Sequence, residues 1–232
     1  IISGLVGSEM CIRDSLNMGL YNKYVLPKMI NAGCGTKPIK KQREKVLPLC
    51  NGIVLEIGCG SGLNFAFYDE NKVEKLYALE PDKEMLRQAG LLVKDVNFPI
   101  TFLETGAEKI PLENGSVDTA LLTYTLCSIP DPLAALREIR RVLKEGGTLV
   151  FCEHGMAPEN SVKKMQNFIN SFWPIFVGGC NLNRDIPNLL KETGFSVDNL
   201  ETMYLPKTPK WFGYNYCCLL YTSDAADEGS SV

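Results

Sequence analysis

The stretch that most constrains this chain is Val54-Leu55-Glu56-Ile57-Gly58-Cys59-Gly60-Ser61-Gly62. An apolar run closes on an acid, and glycine then stands at every second position. This reads as a buried strand feeding a tight turn that cradles a nucleotide-like ligand. Glycine is needed where the backbone approaches a ligand closely and adopts torsions that a Cβ disfavours.

The rest of the chain can support such a strand. Of its 232 residues, 45% are hydrophobic, which suits one domain with small additions and argues against global disorder. The net charge of −3 provides no dominating basic surface, so nucleic acid is not an expected partner. The nine cysteines form no CxxC pair, and His154 is the single histidine, so no metal is expected. An odd number of scattered thiols fits a reducing cytoplasm better than a disulfide framework. No apolar run approaches the ~20 residues of a membrane span, and the start lacks a signal-peptide pattern.

Two peripheral segments read as foreign. Leu5 to Ser15 resembles a translated transposon-type sequencing adapter, and Cys218 to Glu228 resembles the paired adapter read from the opposite strand. The expected organisation is therefore a non-native 1–15, one domain over 16–217 with N-terminal helices at 16–48 as a lid, and a non-native 218–232. A lost native N-terminus leaves a membrane anchor open.

Between these ends, strand and helix alternate. Leu16–Ile30 has roughly helical spacing, and Pro38 opens a helix over Ile39–Leu47. Its Lys40, Lys41, Arg43 and Lys45 read as a solvated basic face, with a phosphate or lipid headgroup contact as the sharper alternative. Lys75–Glu80 reads as a second strand, Pro81–Leu92 as a helix and Ile100–Glu104 as a third strand. Val117–Leu126 is a near-continuous apolar run, as a central parallel strand requires. Asp131-Pro132 starts a helix with an apolar stripe from Leu133 to Leu143, which Gly146-Gly147 closes. Thr148–Cys152 is a fifth strand, Ser161–Phe176 an aromatic-rich helix and Ile186–Thr193 another helix. Phe195–Met203 and Trp211–Cys217 would pair antiparallel. The expected fold is α/β, a doubly wound Rossmann-like, mostly parallel seven-stranded sheet with helices on both faces. Such sheets bind ligands beyond the carboxyl ends of their strands.

The loop also narrows the ligand. A dinucleotide fingerprint needs its third glycine one position later, where Leu63 stands, and the Gly-Lys-Ser/Thr of a P-loop is absent. Glu56 to Gly62 resembles the first motif, E/D-x-G-x-G-x-G, of the class I S-adenosylmethionine-dependent methyltransferases. Gly106-Ala107-Glu108-Lys109-Ile110-Pro111, Ser116-Val117-Asp118 and Leu143–Gly147 are similar to later landmarks of that family. The resemblance is strong over roughly Val46–Gly147. Thr125–Ser128, Glu153-His154 and Gly179–Leu182 further resemble a group that includes membrane-associated thiol methyltransferases and bacterial relatives.

The resemblance implies an enzyme with S-adenosyl-L-methionine as cofactor. Glu56, Gly58, Cys59, Gly60 and Gly62 would meet its methionine end. Glu80 and Pro81 would meet the ribose, with two acceptor oxygens for two adjacent hydroxyls. Ala107 and Glu108, with Thr123, would meet the adenine side, although Gly106 stands where many members carry Asp. The acceptor would be a small molecule or lipid-like: a thiol, a quinone or a phospholipid, with peripheral membrane contact left open. His154 is the candidate base because an unperturbed histidine titrates near neutrality. Tyr124, Cys127 and Trp173 are candidate acceptor contacts, with core positions as the alternative; Phe168, Phe172, Trp173 and Phe176 read as mostly core, with some of them roofing an apolar acceptor pocket as the alternative. Two other readings stand beside this one: a cofactor-binding interaction module without turnover, and a nicotinamide-dependent oxidoreductase.

Overall fold

The structure, a computed structural model, describes residues 21, 25–196 and 200–221. Most of both adapter-like segments lies outside the described residues. So do most of Leu16–Val25 and the middle of the Phe195–Met203 segment.

Two helices, α1 (Leu26–Cys34) and α2 (Lys37–Val46), precede the sheet. The alternation then runs β1 (Gly52–Ile57), β2 (Val73–Leu79), α3 (Lys83–Gly90), β3 (Ile100–Leu103), β4 (Val117–Thr123), α4 (Pro132–Val142) and β5 (Leu143–His154). The C-terminal part consists of α5 (Asn160–Asn170), α6 (Trp173–Phe176), α7 (Ile186–Glu192), β6 (Glu201–Tyr204), α8 (Lys210–Gly213) and β7 (Tyr214–Tyr221). The seven strands form one sheet in the order β3-β2-β1-β4-β5-β7-β6. Strands β1 to β5 pair in parallel, whereas β7 is antiparallel to both β5 and β6. Strand order reverses between β1 and β4, so the loops after these two strands face one crevice.

Local chemistry explains several boundaries. Asp82 accepts from Glu84 N and Met85 N at 2.8 and 3.0 Å, Asp131 from Ala134 N at 3.0 Å and Asp185 from Asn188 N at 3.3 Å, so three helices start on an aspartate cap. β4 is buried almost throughout because helices cover both its faces. On α4, Ala135, Leu136, Ile139 and Val142 are fully buried against β4 and β5 residues such as Leu122 and Phe151. Leu136→Ala should therefore cost about 2–5 kcal/mol in urea unfolding. A change below about 0.5 kcal/mol would contradict this packing.

The structure departs from the sequence reading in several places: β5 begins at Leu143, so Gly146-Gly147 lie within it rather than closing the helix. The aromatic helix expected over Ser161–Phe176 is broken into α5 and α6, because Pro174 cannot donate back to the Asn170 carbonyl. Its phenylalanines are not core: Phe168 is 73% exposed, Phe172 43% and Phe176 55%. The helix instead buries Gln166, whose amide bonds Ala157 N, Gly155 O and Leu182 O. Trp211 lies in α8 rather than in the last strand. Arg43 is buried rather than solvated. Among the described residues, no helix is long and apolar enough to cross a membrane.

Candidate active site

The crevice at the strand-order reversal holds a cavity of about 300 Å³. Its floor is the glycine loop after β1, and one wall is the segment after β4. Gly58 (φ 66°) sits so close to Thr125 that a Cβ would stand 2.3 Å from its methyl group. Gly60 (φ 54°) has nothing within 4 Å of its Cβ position and faces open space. Of the residues read from the sequence, Gly58, Cys59, Gly60, Glu80, Pro81, Ala107, Glu108, Thr123 and Tyr124 line the cavity.

Glu80 ties the cavity together. It accepts from Gly60 N and Asp82 N, both at 3.1 Å, so it holds the loop and still has a free lone pair on each oxygen. Burial raises its pKa, opposed by those two backbone donors. Tyr124 follows β4 in the left-handed region at φ 56°, a conformation that costs a non-glycine residue about 1–2 kcal/mol.

Glu56 does not line the cavity. It is fully buried beneath the loop, with Asn64 Nδ2 donating to Oε1 and the Tyr68 hydroxyl to Oε2, both at 2.8 Å. Asn64 also donates to Thr123 Oγ1 at 2.8 Å and accepts from Arg43 Nε at 2.7 Å. Glu56 thus braces the loop through Asn64, which does line the cavity. Gly62 is likewise off the wall and packs on Phe65.

Burial raises the Glu56 pKa from 4.5 to about 7, against the opposing pull of Tyr68, Asn64 and Arg43. Between those values the native state keeps a proton that the unfolded chain has released. This group's contribution is therefore fully present below 4.5 and is lost as pH rises through about 7. Urea-unfolding free energy should fall across that window, and Glu56→Gln should flatten the fall. An unchanged slope in the variant would overturn the assignment.

His154 and Cys127 are placed behind the wall. β5 runs on to His154, and the ring packs 5.3 Å from the Phe212 ring with Nε2 3.4 Å from Cys180 Sγ. His154 is buried and does not line the cavity. Trp173 also lies off the wall, stacked edge-on against Trp211 at 5.3 Å.

The structure adds cavity residues that the sequence reading did not name as such. Leu26, Pro27, Ile30, Asn31 and Cys34 of α1 cover one side of the cavity. Asn31 accepts from Ser61 Oγ at 2.8 Å and donates to Gln88 at 3.3 Å, linking this cover to the loop and to α3. Arg43 is the only cation on the wall among the described residues. Ile39, Gln42, Arg43 and Val46 are the buried face of α2. That helical spacing was legible, but the positive charge on Arg43 masked it.

Residues 55–151 match a methyltransferase domain family. The human thiol S-methyltransferase TMT1A is 30% identical over 171 residues, covering 69% of each chain. The chain belongs to the S-adenosylmethionine-dependent methyltransferases. Another member, the thiol S-methyltransferase TMT1B of Rattus norvegicus, is 30% identical over 162 residues. That alignment covers 68% of this chain and 65% of the relative, so the chain spans slightly under two thirds of that relative's length. The fold agrees with a methyltransferase of Thermotoga maritima described as a possible histamine N-methyltransferase. That structure has a TM-score of 0.61 at 19% identity, with 89% of this chain and 98% of that one covered. S-adenosylmethionine is thus the cofactor expected of this methyltransferase.

Proposed function

We propose that this chain transfers the methyl group of S-adenosylmethionine to a small thiol. The observation that carries the methyl-transfer reading is the cavity itself, which joins the open Gly60 backbone, the Glu80 carboxylate and the Arg43 guanidinium in one space. The bound cofactor supplies an electrophilic sulfonium methyl group. The protein's part is placement. Arg43 would meet the cofactor's carboxylate, Glu80 would accept from the ribose hydroxyls, and Ala107 and Glu108 would border the adenine. Tyr124, strained after the end of β4 and on the cavity wall, would border the acceptor. Holding two reactants in line can supply about 7–11 kcal/mol of barrier lowering, so no strong base on the wall is needed. Ring and chain carbons of α1 keep water from that space.

The thiol class is supported by the similarity to two thiol S-methyltransferases, and by the low demand that a thiol, with an ordinary pKa of about 8.5, makes on a base. Incubation with S-adenosylmethionine and thiophenol, read by mass spectrometry, should yield the methyl thioether. Methylation of a quinol or a phospholipid with no thioether from any thiol would sink the thiol reading while leaving methyl transfer intact.

A further inference from the structure

Nothing in the cysteine spacing signals a metal site, yet the fold assembles a donor set. The ligating atoms of Cys127, His154 and Cys180 lie within 4.8 Å of one another, and all three residues are buried. They come from three separate segments: the loop after β4, the last residue of β5 and the loop before α7. That convergence does not depend on an ion. Asn181 N and Nδ2 both donate to the Cys127 carbonyl, at 2.9 and 3.0 Å. Gln166 Nε2 donates to Gly155 O and Leu182 O, at 2.9 and 3.0 Å. These bonds hold the backbone at Cys127 and beside His154 and Cys180.

We propose that Cys127, His154 and Cys180 bind a Zn²⁺-class ion and leave its fourth position for the thiolate of the methyl acceptor. Two sulfurs and an imidazole select zinc over hard cations such as magnesium or calcium. Zinc bonds of about 2.3 Å to sulfur and about 2.0 Å to nitrogen require donors about 3.6–3.8 Å apart in a tetrahedron. Cys180 Sγ and His154 Nε2 already stand 3.4 Å apart, and all three ligating atoms lie within 4.8 Å of one another.

The count of donors sets the role. Structural zinc sites are closed by four protein ligands, whereas catalytic sites keep three and an open position. Among the described residues, no fourth His, Cys, Asp or Glu joins this group. The cavity is on the Cys127 side: its Sγ is 3.5 Å from Ser128 Oγ and 3.9 Å from Tyr124 O, and Ser128 and Tyr124 both line the cavity. An acceptor entering there would coordinate as a thiolate, its proton having been lost to bulk solvent before entry. Its sulfur lone pair forms the new C–S bond as the methyl carbon's bond to the sulfonium breaks. The pair of the broken bond remains on S-adenosylhomocysteine, and the ion changes no oxidation state. The identity of the fourth ligand rests on the methyl-transfer reading above; binding of the ion does not.

The test is titration of the full chain, kept reduced with a phosphine, with Zn²⁺ and with Co²⁺ as a spectroscopic probe. One ion per chain and sulfur-to-cobalt charge-transfer bands are expected, and addition of thiophenol should shift those bands. Cys180→Ser and His154→Ala should each weaken binding about 100-fold or more. Cys217→Ser, at the other close thiol pair, should not. Calorimetric binding of S-adenosylhomocysteine reports the cofactor site independently and checks that each variant is folded. The proposal is overturned if the wild-type chain takes up no ion, if it isolates with Cys127 and Cys180 joined as a disulfide, or if Cys217→Ser alone abolishes uptake. Tight binding with cobalt bands indifferent to thiophenol would overturn the acceptor position.

Discussion

Gly60→Val is expected to weaken S-adenosylmethionine binding at least about 100-fold, equivalent to about 2.7 kcal/mol, while the protein still folds. The side chain at this position points into open space, so nothing in the protein is displaced by it. What it displaces is ligand. The cost to the fold is limited to a β-branched residue at φ 54°, about 1–2 kcal/mol. Gly58→Val is the instructive contrast. Its Cβ would lie 2.3 Å from Thr125 Cγ2 and 2.6 Å from Oγ1, so the fold itself yields first. Isothermal calorimetry together with urea unfolding separates the two: affinity falls with modest loss of stability at position 60, and stability falls heavily at position 58. Retained affinity in Gly60→Val would show that the loop does not face the cofactor.

Arg43→Ala should act on stability and on one end of the ligand. The guanidinium is 5% exposed, donates to Asn64 Oδ1 at 2.7 Å and bonds the Cys34 carbonyl, so it joins α1, α2 and the loop-bracing network. Hydrogen bonds from a charged group contribute about 1.5–3 kcal/mol each, and their loss leaves two buried acceptors unpaired. A destabilisation of about 3 kcal/mol is expected. Arg43 is also the only cation lining the cavity among the described residues, so the variant should bind S-adenosylmethionine about 10- to 100-fold more weakly. Binding of 5′-methylthioadenosine, which lacks the amino-acid end, should change far less. An equal loss for both ligands would show that Arg43 acts only by holding the fold.

Legibility followed local chemistry. The glycine loop, Glu80, the Asp131 cap and the apolar β4 could be read because each is written in a few adjacent residues. The mostly parallel sheet followed from the alternation of strand and helix. What escaped was long-range. Arg43 reads as one more charge on a basic helix, because its partner Asn64 is 21 residues away. Glu56 reads as a ligand contact because its position in the motif is plain, whereas its capture by Asn64 and Tyr68 depends on how the chain turns back after β1. The exposed Phe168, Phe172 and Phe176 look like core by composition, yet α5 buries a glutamine instead. The Cys127, His154 and Cys180 cluster was invisible for the same reason: its members are separated by 27 and 26 residues, and only the sheet brings them together.

The central claim is that the crevice between β1 and β4 is built for S-adenosylmethionine, and calorimetry of the full chain with S-adenosylmethionine, S-adenosylhomocysteine and NAD tests it most directly. The account predicts micromolar binding of both sulfur ligands and none of NAD. A folded sample that binds NAD, or that binds neither sulfur ligand, would contradict it.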